Sequence, residues 1–159
     1  MTEEVKPREV FTIRKTFKFE AAHRLTTSFS KKCQQVHGHS YKLELFLQAD
    51  ELNEDGMVID FGQVKQLFQD KLEQFDHKLV LEEGDPIVRK MMEVVAEGYM
   101  HDIGLVVVNF NPTAENMAKF FYELLEKEFY ANEEIRHIRI KAVRVHETET
   151  GWAEFSREF

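Results

Sequence analysis

The stretch FTIRKTFKFEAAHRLTTSFSKKCQQVHGHSYKLELFLQA, residues 11–49, decides the fold because the same alternating pattern occurs at both of its ends. Apolar residues and histidine recur at every second position over 11–23, apart from Lys15, and again over 37–49, which is typical of strands with one buried face. The residues between them, 24–36, form a connection much longer than the usual hairpin loop of about two to five residues. We therefore expect two long strands joined by a functional loop.

Helix signals follow this stretch. Asp60 and Gln63 have the spacing of a capping box, and apolar residues at helical spacing continue from there to Phe75. A second helix is predicted over 86–99. Asn111-Pro112 predicts the N-cap and the first residue of a third helix.

Strand signals return near the end of the chain. Residues 135–145 read as a strand whose buried phase switches, which a bulge would accommodate, and residues 152–159 read as a last strand. Two strands, then helices, then two strands predict an α+β fold with an antiparallel sheet.

Size and charge restrict the class of protein. A chain of 159 residues predicts one domain, 11–159, behind an N-terminal extension, 1–10. The net charge of −8, with scattered lysines and arginines, argues against nucleic acid or anionic lipid as partners. No apolar run approaches the roughly 18–20 residues of a membrane span, so a cytoplasmic protein is expected. The single cysteine, Cys33, excludes an intrachain disulfide.

Three histidines, His23, His37 and His39, fall in the buried phases of the first two strands. If these strands pair antiparallel, the three imidazoles converge, and Gly38 leaves room for close approach. Three nitrogen ligands with an open fourth position describe a catalytic zinc site. Chance would explain His37 and His39 alone. It explains three of the seven histidines less well, because uncompensated imidazoles are costly to bury.

Six motifs resemble the family of 6-pyruvoyl-tetrahydropterin synthases and their bacterial relatives, the 6-carboxytetrahydropterin synthases of queuosine and deazaguanine biosynthesis. They occur in the family's order. They are FEAAHRL at 19–25, CQQVHGHSY at 33–41, MVIDF at 57–61, DHK at 76–78, NPTAENMA at 111–118 and HETETGWAEF at 146–155.

The resemblance implies the tunnelling fold, which has a four-stranded antiparallel sheet with two main helices packed on one face. It also implies that subunits assemble into a barrel, commonly a homohexamer built as a dimer of trimers, with active sites where subunits meet. The small-molecule partner it implies is a pterin triphosphate.

The resemblance also assigns roles to individual residues. It makes the three histidines the Zn²⁺ ligands. The remaining roles are the catalytic thiol for Cys33, the assisting pair for Asp76 and His77, the pterin anchor and proton relay for Glu147, and a second pterin contact for Thr113 and Glu115.

Several of these residues have ordinary structural alternatives. Cys33 could be a small core residue, although a loop rich in lysine and glutamine favours chemistry, because a thiol near a cation ionises readily. Asp76 could cap a helix end, and Glu147 could be a solvent-facing charge. Helix capping and the helix dipole alone would favour Thr113 and Glu115.

The pattern ETETGWAEF, within 146–155, favours the carboxy-forming branch, which converts 7,8-dihydroneopterin triphosphate to 6-carboxytetrahydropterin and releases acetaldehyde and triphosphate. The alternatives are a 6-pyruvoyl-tetrahydropterin synthase, which loses triphosphate and rearranges, and a non-catalytic pterin- or metal-binding homologue. A dihydroneopterin aldolase-like activity is a third. Residues 82–109 resemble an insert relative to compact bacterial members.

Overall fold

A computed structural model describes residues 5–158, so residues 1–4 of the predicted extension and Phe159 of the predicted domain lie outside it. Within the described residues there are six strands, three α-helices and one short 3₁₀ helix, Lys31–Gln34. In chain order the strands and α-helices are β1 Phe11–His23, β2 His37–Ala49, α1 Phe61–Glu73, β3 Lys78–Glu82, α2 Pro86–Ala96, β4 Leu105–Val108, α3 Ala114–Ala131, β5 Arg139–Thr148 and β6 Gly151–Phe155.

Strands β1 and β2 pair antiparallel along their whole length, as predicted, with Phe11 opposite Ala49 and His23 opposite His37. This register places the connecting loop, 24–36, at one end of the sheet. Gly38 leaves room at this point, but a larger residue would also fit. A Cβ there would meet the carbonyl oxygen of Ala21 at 3.6 Å, an ordinary contact.

The sheet is larger and more mixed than the four-stranded antiparallel sheet that the resemblance implied. Its order is β4-β3-β1-β2-β5-β6, and β3 lies parallel both to β1 and to β4. Strands β3 and β4 were not predicted. Strand β4 and helix α2 lie within the insert-like stretch 82–109, and β3 ends at its first residue. Parallel neighbours need a long crossover, and the segment containing α2 supplies it between β3 and β4.

The helices begin and end close to the predicted positions, with two corrections. The Asp60 carboxylate caps α1, because it accepts hydrogen bonds from the backbone N–H groups of Gly62 and Gln63. Helix α2 stops at Ala96 instead of Tyr99, and Gly98 follows it with φ 81°. The N-cap of α3 is Thr113, not Asn111.

The side chain of Asn111 is engaged elsewhere, which explains why it does not cap α3. Its amide oxygen accepts from the backbone N–H of Thr26 at 3.1 Å, and its amide nitrogen donates to the carbonyl of Thr27 at 3.1 Å. These bonds tie the segment before α3 to the loop 24–36.

One face of the sheet packs on α1 and α3 and forms the core, so two of the three helices lie where the resemblance implied. Phe68 of α1 is fully buried and packs edge-on against Phe17 of β1, with ring centroids 5.0 Å apart. Phe121 of α3 joins the same cluster through Phe68 and Phe19. Helix α2 has no buried residue and lies outside this core.

The predicted phase switch in the third predicted strand is present. In the pairing of β2 with β5, Phe46 lies opposite Ala142 while Leu47 lies opposite Ile140, which leaves Lys141 as the extra residue of a bulge. Strand β5 begins at Arg139 instead of 135. None of the helices in residues 5–158 combines the length and apolar character needed to span a membrane.

Candidate metal centre and active site

His23, His37 and His39 converge at the end of the sheet where β1 stops and β2 starts. Each can offer a ring nitrogen, and the three nitrogens lie within 4.8 Å of one another. The Nε2 atoms of His23 and His37 are 3.0 Å apart. Tetrahedral zinc with bonds of 2.0–2.1 Å holds neighbouring ligand atoms about 3.3 Å apart. The three histidines are therefore positioned to hold a metal ion.

Backbone carbonyls orient two of these rings. The carbonyl oxygen of Pro112 lies 2.8 Å from Nδ1 of His23, and that of Gln35 lies 2.7 Å from Nδ1 of His37. Because a carbonyl can only accept, each Nδ1 carries the proton and each Nε2 keeps a lone pair. Such outer contacts fix the tautomer that a metal requires.

Burial favours the uncharged form of two of the three imidazoles. The pKa of His23 is lowered to about 4: burial lowers it most, the hydrogen bond to Pro112 opposes this, and the neighbouring His37 and His39 add to the lowering. Burial also lowers the pKa of His39. Nε2 of His39 is buried and has no hydrogen-bond partner among the described residues. Converging imidazole nitrogens, one of them buried and unsatisfied, fit a bound cation.

Glu147, near the end of β5, faces the same cluster. Its two carboxylate oxygens lie 3.9 Å from Nε2 of His23 and 3.9 Å from Nε2 of His39. Burial raises its pKa, and the negative charge of Glu115 raises it further. Glu147 is thus a half-buried carboxylate whose charge is poorly compensated, and the alternative of a fully solvent-facing strand end does not describe it.

Thr113 and Glu115 lie at the start of α3. The hydroxyl of Thr113 accepts from the backbone N–H of Asn116 at 3.2 Å, so its capping role is real. Glu115 and Glu147 line one groove of about 220 Å³ between α3 and the hairpin of β5 and β6, which also includes Trp152. The two predicted pterin contacts therefore lie beside each other.

Cys33 lies in the 3₁₀ helix of the loop, and its side chain is half-buried instead of packed in the core. Its carbonyl accepts from the backbone N–H of Leu25 at 2.8 Å, and Leu25 lies two residues beyond His23. The loop thus folds back and holds Cys33 at the histidine end of the sheet. It is not a fourth member of the metal-binding group among the described residues.

Asp76 and His77 form a pair with each other. Oδ2 of Asp76 accepts from Nδ1 of His77 at 2.8 Å, while Oδ1 accepts from the backbone N–H of Glu20 at 2.8 Å. These bonds lower the pKa of Asp76, that from Glu20 most. Asp76 therefore orients His77 and ties the turn after α1 to β1.

The pair stays apart from the histidine cluster. The His77 side chain is 79% exposed, and its backbone N–H donates to the carbonyl of Glu20, a residue on the exposed face of β1. A groove of about 490 Å³ contains both His77 and His39. The metal-binding group within residues 5–158 nevertheless leaves out His77.

Tyr41 is a site residue that the sequence placed only in a buried strand phase. Its hydroxyl lies 3.3 Å from Nδ1 of His23, and its ring stacks on Phe19 with centroids 4.8 Å apart. Burial, and then the charge of Glu147, raise the pKa of Tyr41. The position of Tyr41 two residues after His39 was the available signal, because both side chains share one face of β2.

Arg24, Thr26, Glu82 and Asp85 were also missed. Arg24 Nε lies 2.8 Å from Oδ2 of the fully buried Asp85 carboxylate, and the Thr26 hydroxyl donates to Glu82. These contacts anchor the start of the loop 24–36 to the β3–α2 junction. No short motif predicts these two contacts, because the partners are 56 and 61 residues apart in the chain.

Comparison with known proteins gives a consistent family. A family model described as 6-pyruvoyl tetrahydropterin synthase matches residues 12–158. A protein of Aquifex aeolicus named 6-carboxy-5,6,7,8-tetrahydropterin synthase is 36% identical over 160 residues, covering 92% of this chain and 98% of the relative. One of the same name from Helicobacter pylori is 33% identical over 148 residues, covering 89% of this chain and 70% of the relative.

Solved structures share the fold. An uncharacterized protein from Wolinella succinogenes superimposes with a TM-score of 0.81 at 23% identity, covering 94% of this chain and 99% of the other. The 6-pyruvoyl tetrahydropterin synthase of Caenorhabditis elegans superimposes with a TM-score of 0.64 at 20% identity, covering 94% and 97%. The family-model match over 12–158 and the 36% identity to the Aquifex aeolicus protein show that the chain belongs to the 6-pyruvoyl tetrahydropterin synthase family.

Proposed function

We propose that the chain is a zinc-dependent 6-carboxy-5,6,7,8-tetrahydropterin synthase of the queuosine branch, acting on 7,8-dihydroneopterin triphosphate. The observation that carries the proposal is the meeting of three imidazoles and a poorly compensated carboxylate, Glu147, at one end of the sheet. The names of the relatives above 30% identity support the carboxy-forming branch.

Zinc is the proposed metal because three imidazole nitrogens with room for a further ligand suit it. When bound, it supplies Lewis-acid polarisation, which makes a substrate hydroxyl more acidic. His23, His37 and His39 would hold it, with the carbonyls of Pro112 and Gln35 keeping two of the rings in the ligating tautomer.

Glu147 is the proposed anchor for the pterin ring. A carboxylate whose charge is penalised by burial and by Glu115 gains most from N–H donors, and a pterin presents amino and ring N–H groups that can donate two parallel hydrogen bonds. Glu115 borders the same groove, and Thr113 is the N-cap of α3 two residues before it; both would contact the ring from the start of α3.

Cys33 is the proposed base. Two hydrogen bonds hold its loop: the backbone N–H of Leu25 donates to the carbonyl of Cys33, and that of Thr26 donates to the side chain of Asn111. The thiol is therefore held at the histidine end of the sheet. As the thiolate, Cys33 would accept a carbon-bound proton from the substrate side chain, next to a hydroxyl that a metal held by the three histidines would make more acidic. His77, whose Nδ1–H donates to Asp76, presents Nε2 as the atom that would take up a proton and return it to the substrate.

We also propose a homo-oligomeric barrel, a hexamer, in which the Asp76–His77 pair of one subunit completes the site of another. Two features support it. The imidazole of His77 is largely exposed and outside its own subunit's metal-binding group. In addition, among the described residues β3 pairs with β1 only at 21–23, which leaves the backbone edge of residues 11–19 available for another strand.

The product is tested by incubating the zinc-loaded protein with dihydroneopterin triphosphate and measuring acetaldehyde together with pterin products. Acetaldehyde in a one-to-one ratio with consumed substrate is expected. Consumption without acetaldehyde would place the chain in the 6-pyruvoyl branch. Absence of consumption by a zinc-loaded, folded protein would favour a non-catalytic homologue.

The role of the thiol is tested with Cys33→Ala, which should lose about 10²–10⁴-fold in kcat while keeping its zinc. Full activity in this zinc-loaded variant would contradict the proposed base.

Mixing tests the shared site. When Cys33→Ala and His77→Ala subunits are unfolded and reassembled together, about one quarter of the sites should contain both intact side chains. Activity should reappear only in the mixture. If the mixture stays as inactive as its components although mixed oligomers form, the pair acts within its own subunit.

A further inference from the structure

A second cleft lies at the opposite end of the sheet from the histidines, between the C-terminal half of α3 and the start of β5. Its volume is about 320 Å³, which is within the range of small-molecule sites. Gln48, which lines it, follows His37 on β2 by eleven residues, or about 36 Å along an extended strand. The cleft is therefore separate from the proposed active site.

The cleft is cationic although the chain carries a net charge of −8. Its cationic lining residues are Arg8, Arg136, Arg139, Lys141 and Arg157, and its only lining acid is Glu126. Such a concentration of one charge in a concave surface attracts anions, because the walls focus the field.

Acidic neighbours neutralise only part of this charge. Asp50 accepts from Arg139 at 2.7 Å and from Arg8 at 3.1 Å, so one carboxylate serves two guanidinium groups. Arg157 lies 3.4 Å from Glu126. Within residues 5–158, no ion pair forms at Arg136 or Lys141, which leaves two exposed cations facing the same cleft.

The other wall of the cleft is aromatic. Phe129 is buried and Tyr130 is 69% exposed. The hydroxyl of Tyr122 donates to the carbonyl of Ile140 at 3.1 Å, which fixes that ring between α3 and β5. A flat ring can stack on an exposed tyrosine while its charged substituent reaches the arginines.

We propose that this cleft binds a small polyphosphate that carries an aromatic ring, the chemistry of a nucleoside triphosphate. Arg136, Arg139 and Lys141 bind the phosphates through charge-assisted hydrogen bonds, and Tyr130 carries the ring. Residues 5–10, the described part of the N-terminal extension, also take part in the cleft. Arg8 lines one wall and is held there by its hydrogen bond to Asp50.

Calorimetry with ATP, inorganic tripolyphosphate and adenosine on the zinc-loaded full chain tests the proposal. ATP should bind most tightly, tripolyphosphate more weakly and adenosine weakest. Arg136→Ala and Lys141→Ala should each weaken ATP roughly tenfold. Lys127→Ala is the matched control. It removes an exposed cation of α3 that does not line the cleft, so this variant should bind ATP as the original chain does.

Tyr130→Ala separates the two parts of the ligand, because it should weaken ATP while leaving tripolyphosphate unchanged. Equal binding of ATP by the chain and by the double variant Arg136→Ala/Lys141→Ala would overturn the proposal, as would no binding of ATP at all. Loss of ATP binding in Glu147→Gln but not in the double variant would also overturn it, because the ligand would then occupy the histidine end.

Discussion

His23 and His77 lie near the same end of the sheet but in opposite environments. His23 is 2% exposed, held by a backbone carbonyl, and has its pKa lowered to about 4 by burial. His77 has a side chain that is 79% exposed and donates to a carboxylate. A metal ligand must be neutral and fixed, whereas a proton carrier must reach solvent or substrate. The difference in surroundings separates the two tasks proposed for these histidines, which the residue type alone does not.

Backbone conformation extends the contrast. His77 has φ 58°, in the left-handed region where side chains other than glycine are disfavoured. The histidines of the metal-binding group lie in regular strands, paired in register. A strained residue kept at an exposed turn indicates function, and here it displays the ring of His77 beside Asp76.

The largest expected effect follows removal of a ligand. His39→Ala should reduce zinc affinity more than about 100-fold and abolish activity, because it deletes the buried Nε2 that has no protein partner. The zinc-free variant should be no less stable than the zinc-free chain, since an unsatisfied buried nitrogen is lost. Zinc content after chelator competition and urea unfolding measure both. Zinc retained at the original affinity would remove His39 from the ligand set.

Substitution of His77 should affect turnover but not zinc binding. His77→Gly should keep zinc and lose about 100-fold in kcat. It should also be more stable to urea than His77→Ala by about 1 kcal/mol, because glycine adopts φ 58° without a Cβ clash. Equal stability of the two variants would mean that the turn relaxes, and unchanged kcat would exclude a catalytic role for the imidazole.

A pH titration of the zinc-free protein separates the two histidines next. The unfolded chain takes up a proton at His23 near pH 6.5, while the folded chain does so only near pH 4. Stability is therefore greatest above pH 6.5 and falls as the pH drops toward 4, by up to about 1.4 kcal/mol per pH unit for one group.

Urea midpoints between pH 7 and pH 4 measure this slope. His23→Leu should lose the part of the slope that belongs to His23, while the part that belongs to His39 remains. His77→Ala, which changes an exposed side chain, is the control. A slope unchanged in His23→Leu would assign the effect to other groups.

Tyr41→Phe should have the smallest effect. It removes the hydroxyl 3.3 Å from Nδ1 of His23 but leaves the carbonyl of Pro112 at 2.8 Å and the stack on Phe19. Zinc affinity should fall by tenfold or less, as for other outer contacts. A loss as large as that of His39→Ala would make Tyr41 the main support of His23.

Local patterns predicted much of the frame. Alternation over 11–23 and 37–49 correctly predicted two antiparallel strands, and Asp60 correctly predicted the cap of α1. Such features depend on neighbours in the chain, so a single sequence contains them. The parallel strands β3 and β4 escaped prediction, because a four- or five-residue apolar run does not specify its partners.

The sequence by itself determined which residues could bind a metal: three histidines at alternate positions in two strands, a pattern that period-2 geometry places on one face. Tertiary structure decided how they are held and what surrounds them. The carbonyl of Pro112, 89 residues from His23, sets its tautomer, and Glu147 approaches from β5. Tertiary structure also decided that His77 lies outside the group formed by His23, His37 and His39. These relations depend on contacts between distant segments, and side-chain burial, which shifts each pKa, exists only once those segments have packed.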